Sequence, residues 1–164
     1  MSVWSAMVGG LAGTFILTTV LRASSELRLT RVDLPFLLGT VVTANRRWAK
    51  LIGYLLHFVI GLLFSLAYYV GFVGLGRAGW LLGAAFGVIH GLFAMTALVN
   101  VLLPVIHPRM GSALSSVNST VLLEAPGFLM LNYGRATPVV TLIAHVFYGA
   151  MVGGFVSLAD RARA

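Results

Sequence analysis

The same pattern occurs twice along the chain. Gly9-x3-Gly13-x-Phe15-x2-Thr18 returns as Gly87-x3-Gly91-x-Phe93-x2-Thr96, and His57-x3-Gly61-x3-Ser65 returns as His145-x3-Gly149-x3-Gly153. Between these blocks each half has an acid-x-proline step, Asp33-Leu34-Pro35 and Glu124-Ala125-Pro126. Three matches in one order point to a duplicated two-helix unit whose loops differ in length. Such a duplication limits the architecture more than any single residue does.

The medium for this unit is a bilayer. The chain is 59% hydrophobic and 9% charged, with a mean hydropathy of +0.98, more apolar surface than a soluble domain needs. Four segments offer the roughly 20 apolar residues that a span requires: Val3–Leu21, Leu51–Leu75, Trp80–Ile106 and Pro138–Leu158. The first has no basic residue before it and no small-residue cleavage site after it, so it reads as a span rather than a removable signal. A net charge of +7 would suggest nucleic acid in a soluble chain. Here the basic residues sit between apolar spans, which argues against nucleic acid and for lipid. The absence of cysteine excludes disulfides, thiolate metal sites and thiol redox chemistry.

Arg22, Arg28, Arg31, Arg46, Arg47, Lys50, Arg109 and Arg135 fall in the two long loops, against Arg77, Arg161 and Arg163 on the other side. The positive-inside rule then puts both loops in the cytoplasm and both termini outside. The strong preference for Arg over Lys suggests a GC-rich bacterial genome, hence a bacterial inner membrane. The expected fold is an all-α membrane protein, one domain over residues 1–164. Its four transmembrane helices form two parallel two-helix repeats (3–75 and 80–158) about an axis along the membrane normal. The loop segments 32–44 and 116–131 are apolar but too short or broken to span, and read as interfacial or re-entrant. Pro35 and Pro126 suit first helical turns, with Asp33 and Glu124 near the positive end of each. Trp48, Tyr54 and Trp80 suit interface anchors.

Three groups of residues could carry function. Gly9, Gly13, Gly61, Ser65, Gly83, Gly87, Gly91, Gly149 and Gly153 give every span a small-residue face, for packing within the chain or for docking a partner or a second copy. His57, His90 and His145 lie inside the spans, where ionisable groups are costly and functional by default. His57 and His145 match by the repeat, whereas Ala12 stands where a mate of His90 would be. They could relay protons, ligate haem b or a metal, or remain neutral and bonded to neighbouring helices. The first span has no histidine, which counts against haem. Asp33, His107, Arg109, Glu124, Asn132, Tyr133 and Arg135 form a polar set on the loop side that could bind an anion or lipid phosphate. Asn118-Ser119-Thr120 matches a glycosylation sequon on the wrong side of a bacterial membrane.

The HFVIG and AHVFYGA blocks, the HPRM step and the PGFLMLNYGRATP run resemble an uncharacterised family of small four-span bacterial integral membrane proteins. The resemblance implies a class and a location, and no catalytic residue. With no HExxH, P-loop or zinc spacing, the leading expectation is a non-catalytic integral membrane protein, an accessory or scaffold subunit of a larger complex. The alternatives are a small permeation unit with His57 and His145 on its pathway, and a haem- or metal-binding redox protein.

Overall fold

The computed structural model describes residues 1–110 and 123–162, all-helical apart from loops. The helices are α1 (Val3–Glu26), α2 (Leu34–Val42), α3 (Arg46–Gly74), α4 (Trp80–Phe93), α5 (Leu103–Ile106) and α6 (Thr137–Arg161). α4 and α5 are joined by a π-helical run, Ala94–Leu102, into one continuous rod. This rod, α1, α3 and α6 are the four helices long and apolar enough to cross a membrane. The sequon at Asn118 and the first part of segment 116–131 lie outside the described residues.

Local chemistry sets the helix ends. Asn45 caps α3 by accepting from the Arg47 and Trp48 amides at 3.1 and 3.3 Å. Asp33 caps α2 through the Phe36 amide at 3.1 Å, with Pro35 in the first turn. α3 ends on Gly76 at φ +66, where the Gly76 and Arg77 amides return to the Val73 and Phe72 carbonyls. α1 closes in the same way, but on Arg28 at φ +60, a left-handed position that a side chain disfavours.

The rod has a physical reason to widen. Pro104 has no amide to offer the Asn100 carbonyl one turn back, and its ring presses on that turn. The π-helical run lies immediately before it, a frequent way for a helix to absorb such a misfit.

The helices meet on small residues. α6 is central, packing closely on α4 and on α1, while α1 also packs on α3 and α2 lies along the start of α3. Gly83 and Gly149 each face the other's backbone carbonyl, Gly87 faces that of His145, and Gly153 that of Gly79. Gly9 and Gly13 abut Val152 and Tyr148, Gly10 abuts Ser65, and Gly61 abuts Thr14. Gly39 and Gly53 bring α2 against the Ala49 and Pro35 backbones. The small-residue faces are therefore turned on one another inside the chain. α3 and α4 do not approach in this way. Between them lie aromatic rings, with Phe72 stacked on Phe86 at 5.1 Å and Tyr68 edge-on to Phe86 at 5.5 Å. Large apolar residues such as Phe15, Leu55, Val59, Ile89 and Phe147 point outward, as a lipid-facing surface requires. Trp4 and Trp80 sit exposed at one end of the bundle and Trp48 at the other.

The second loop departs from expectation. Pro126 does not begin a helix. It is followed by Gly127 at φ +71 and a short 3-10 segment, Phe128–Tyr133, broken by left-handed Leu129 and Met130. The chain turns back at Gly127, so Glu124 is not at a helix N-terminus.

Candidate intramembrane site

The space left between α3 and the third span is a cavity of about 380 Å³. Ile60, Phe64, Leu98, Leu102 and Met130 give it apolar walls, and His57, His90 and His145 all reach it. Its volume is in the range usual for small-molecule sites, which are likewise mostly apolar with a few placed polar groups. Leu63, Leu102 and Ile106 line it and are also exposed on the outer face. The cavity therefore opens sideways, toward lipid, between α3 and the rod. Toward the chain termini its lining ends at Phe64, His90 and Tyr148, behind which Tyr68 packs edge-on to Phe72 and Phe86.

Each histidine is fixed by its own neighbours. His145 Nδ1 lies 2.8 Å from the Thr141 carbonyl, and a carbonyl only accepts, so Nδ1 carries the proton. The Thr18 hydroxyl donates to the Thr14 carbonyl at 2.7 Å, so its oxygen accepts from His57 Nδ1 at 3.1 Å. Both rings therefore keep Nε2 as a lone-pair acceptor. His90 stacks on Phe64 at 3.8 Å, meets His145 edge-on at 4.7 Å, and has Nδ1 3.3 Å from the Tyr68 hydroxyl. The Tyr148 hydroxyl donates to the Gly61 carbonyl at 2.5 Å and ties α6 to α3. His57 and His145 stand in the same His-x3-Gly sequence context, yet one bonds to a neighbouring helix and the other to its own. Among the described residues, no three His, Cys, Asp or Glu side chains are grouped to hold a metal ion.

The polar set on the loop side does not form one site. It divides in three, apart from Arg135, which is exposed. His107 is buried against α2: Nδ1 accepts from the Arg109 amide at 3.1 Å, so Nε2–H donates to the Leu37 carbonyl at 3.1 Å. The Arg109 guanidinium donates to the Thr40 carbonyl at 2.6 Å, closing the C-terminal end of α2. Burial lowers the His107 pKa below its ordinary 6.5, with Arg109 nearby acting in the same direction and the Leu37 bond opposing. A second group joins Arg31 to Glu124 at 3.4 Å and also to the Asn132 carbonyl. In that group Tyr133 donates to the Glu124 carbonyl at 2.7 Å and Asn132 to that of Ala125 at 2.9 Å. Burial, then Glu124, pushes the Tyr133 hydroxyl up to about 12. The third is Asp33 with Lys50, at 3.1 Å. These bonds shape the loops.

Thr18, Phe64, Tyr68, Thr141 and Tyr148 complete the histidine site; Thr18 entered the sequence reading only as part of a matched block, and the other four were not candidates for the site. The positions of Thr141 and Tyr148, one turn either side of His145 on α6, were the available signal. No family model, curated protein or solved structure matches this chain.

Proposed function

We propose that this protein binds a small lipophilic molecule within the membrane, taken up sideways from the lipid between α3 and the third span. The observation that carries this reading is the apolar cavity itself, open on the lipid-facing side and ending among three internally bonded histidines. The imidazoles act as neutral hydrogen-bond acceptors and donors at the deep end of the cavity. Each ring already has a partner within the protein, and the walls around them are apolar, so the deep end suits the hydrocarbon part of a ligand.

The accessory-subunit reading drew on the small-residue faces, the short soluble parts and the lack of a recognisable site; the first of these packs inside the chain. A permeation path through His57 and His145 would have to pass the aromatic layer beyond them. Binding requires no such passage. The resemblance to small four-span bacterial proteins is compatible with this reading and adds no activity to it.

Native mass spectrometry of the gently extracted protein tests the proposal, with Leu98→Trp as the cavity-filling comparison. The expected result is a lipophilic adduct retained by the wild type and lost in the variant. An adduct-free wild type, or equal retention by both, would overturn it.

A further inference from the structure

We infer that the ligand is a single-chain amphiphile with a hydrogen-bonding head of zero net charge, and that the head sits in a second, polar space beside the cavity. The inference rests on the binding function proposed above and names the class of ligand.

The second space has a volume of about 230 Å³. Arg22, Ser25 and Glu26 at the end of α1 line it, together with Asp33, Lys50 and Tyr54. It shares four lining residues with the apolar cavity: Leu21, Val32, Leu34 and His57. The two spaces therefore adjoin across these side chains, and a ligand that occupies both would displace Leu21 or Leu34. The polar space lies at the loop end of α1 and α3, and the apolar cavity runs from that end inward to His90 and Thr14. A single-chain amphiphile in one leaflet has the same layout, with its head at the surface and its tail toward the middle.

The charges select the head. Arg22 pairs with Glu26 at 2.7 Å and Lys50 with Asp33 at 3.1 Å, so two cations face two carboxylates. All four groups are substantially exposed, and pairs of this kind contribute little by themselves. Arg22, Glu26 and Lys50 can therefore turn to a ligand at small cost, while Asp33 keeps Oδ1 on the Phe36 amide and presents Oδ2. An anionic head would gain the cations but meet both carboxylates. A zwitterion or a polyol satisfies both signs, with the Ser25 and Tyr54 hydroxyls as further partners.

The test is equilibrium binding to the full chain in nanodiscs, using probes with matched dodecyl chains: dodecane, dodecanoate, monododecanoylglycerol and dodecanoyl-lysophosphatidylethanolamine. The polyol and zwitterionic probes are expected to bind about tenfold more tightly than the other two, roughly the gain of one charge-assisted hydrogen bond. Their order distinguishes the polyol from the zwitterion. The double variant Arg22→Gln with Glu26→Gln should remove most of that gain and leave dodecane unchanged. Equal binding of all four probes, displaced by Leu98→Trp, would overturn the head site while the cavity reading stood. Preference for dodecanoate would overturn the charge argument. Binding of no probe, or binding indifferent to both Leu98→Trp and Leu102→Trp, would overturn the cavity reading as well.

Discussion

In the first half of the chain the segment between the spans is a 9-residue helix, capped by Asp33 and docked backbone to backbone on α3. In the second half the matching acid-x-proline step leads to a left-handed turn at Gly127, Leu129 and Met130. The spans differ too. α1 packs closely on α6, but α3 and α4, the helices with the matching sequence blocks, are held apart. The side chains give the reason. Where α6 has Val152 and Val156, the matching positions of α3 carry Phe64 and Tyr68. Small residues let α1 approach α6, whereas rings on α3 keep α4 at a distance and leave the cavity on the loop side of them. Two segments with matching sequence blocks thus pack differently because of a few bulky side chains, and the candidate site lies where the packing differs.

The comparison can be broken experimentally, and the largest effect is expected at the aromatic layer. Phe72 is fully buried and stacked on Phe86. Phe72→Ala should cost toward the low end of the ~3–5 kcal/mol usual for such truncations, since lipid rather than water surrounds the separated helices. Unfolding in mixed detergent would measure it, and a change near zero would mean that the rings do not hold the α3–α4 gap. Next comes the tight side of the bundle. Gly83→Ala drives a methyl into the Gly149 carbonyl and should destabilise by about 1–3 kcal/mol. Gly74, with open space around it, should tolerate Ala within about 0.5 kcal/mol.

Helix ends sharpen the contrast further. Arg28 occupies the left-handed position that Gly76 fills at the end of α3, so Arg28→Gly should stabilise by about 1 kcal/mol in the same assay. Asp33→Ala should cost about 1 kcal/mol by removing a helix cap. Glu124→Ala, which removes only an exposed ion pair, should fall within about 0.5 kcal/mol. Equal losses at the two acids would mean that the halves are more alike than their backbones.

The smallest effect concerns His107, and it has a definite sign. Its pKa is lowered in the fold, so the neutral ring stabilises fully above about pH 6.5, and that contribution is lost as pH falls through the lowered folded-state value. Protonation removes the lone pair that accepts the Arg109 amide. The protection factor of that amide, its exchange rate relative to the intrinsic rate at each pH, should hold through pH 6.5 and fall only as pH drops through the lowered folded-state value; a protection factor unchanged across that range would contradict the assigned bond.

Much of this architecture was legible in the sequence. Apolar length revealed the four spans, and Asp33 before Pro35 marked the start of α2. The small-residue faces were visible as well, but not whether they turned inward, because GxxxG spacing reports close approach without naming the partner helix. The same limit applies to the histidines. His57 and His145 stood out as repeat mates, yet Thr18, a neighbouring helix away, decides the tautomer of one, and the chain's own Thr141 decides that of the other. Glu124-Ala125-Pro126 misled because the step resembles Asp33-Leu34-Pro35, and only the following Gly127 diverts the backbone. The cavity was not legible at all: it is an absence of packing, set by which rings of α3 face α4.

The most direct test of the central claim is photocrosslinking in lipid vesicles with an alkyl diazirine probe, followed by mass-spectrometric mapping of the labelled residues. Any membrane protein will be labelled on its outer face, here at residues such as Phe15 and Phe147. Binding in the cavity predicts additional, saturable labelling of inward residues, Ala94, Leu98 and Thr141, that is lost in Leu98→Trp at the remaining sites. Labelling confined to the outer face, unsaturable and unchanged by the variant, would contradict it.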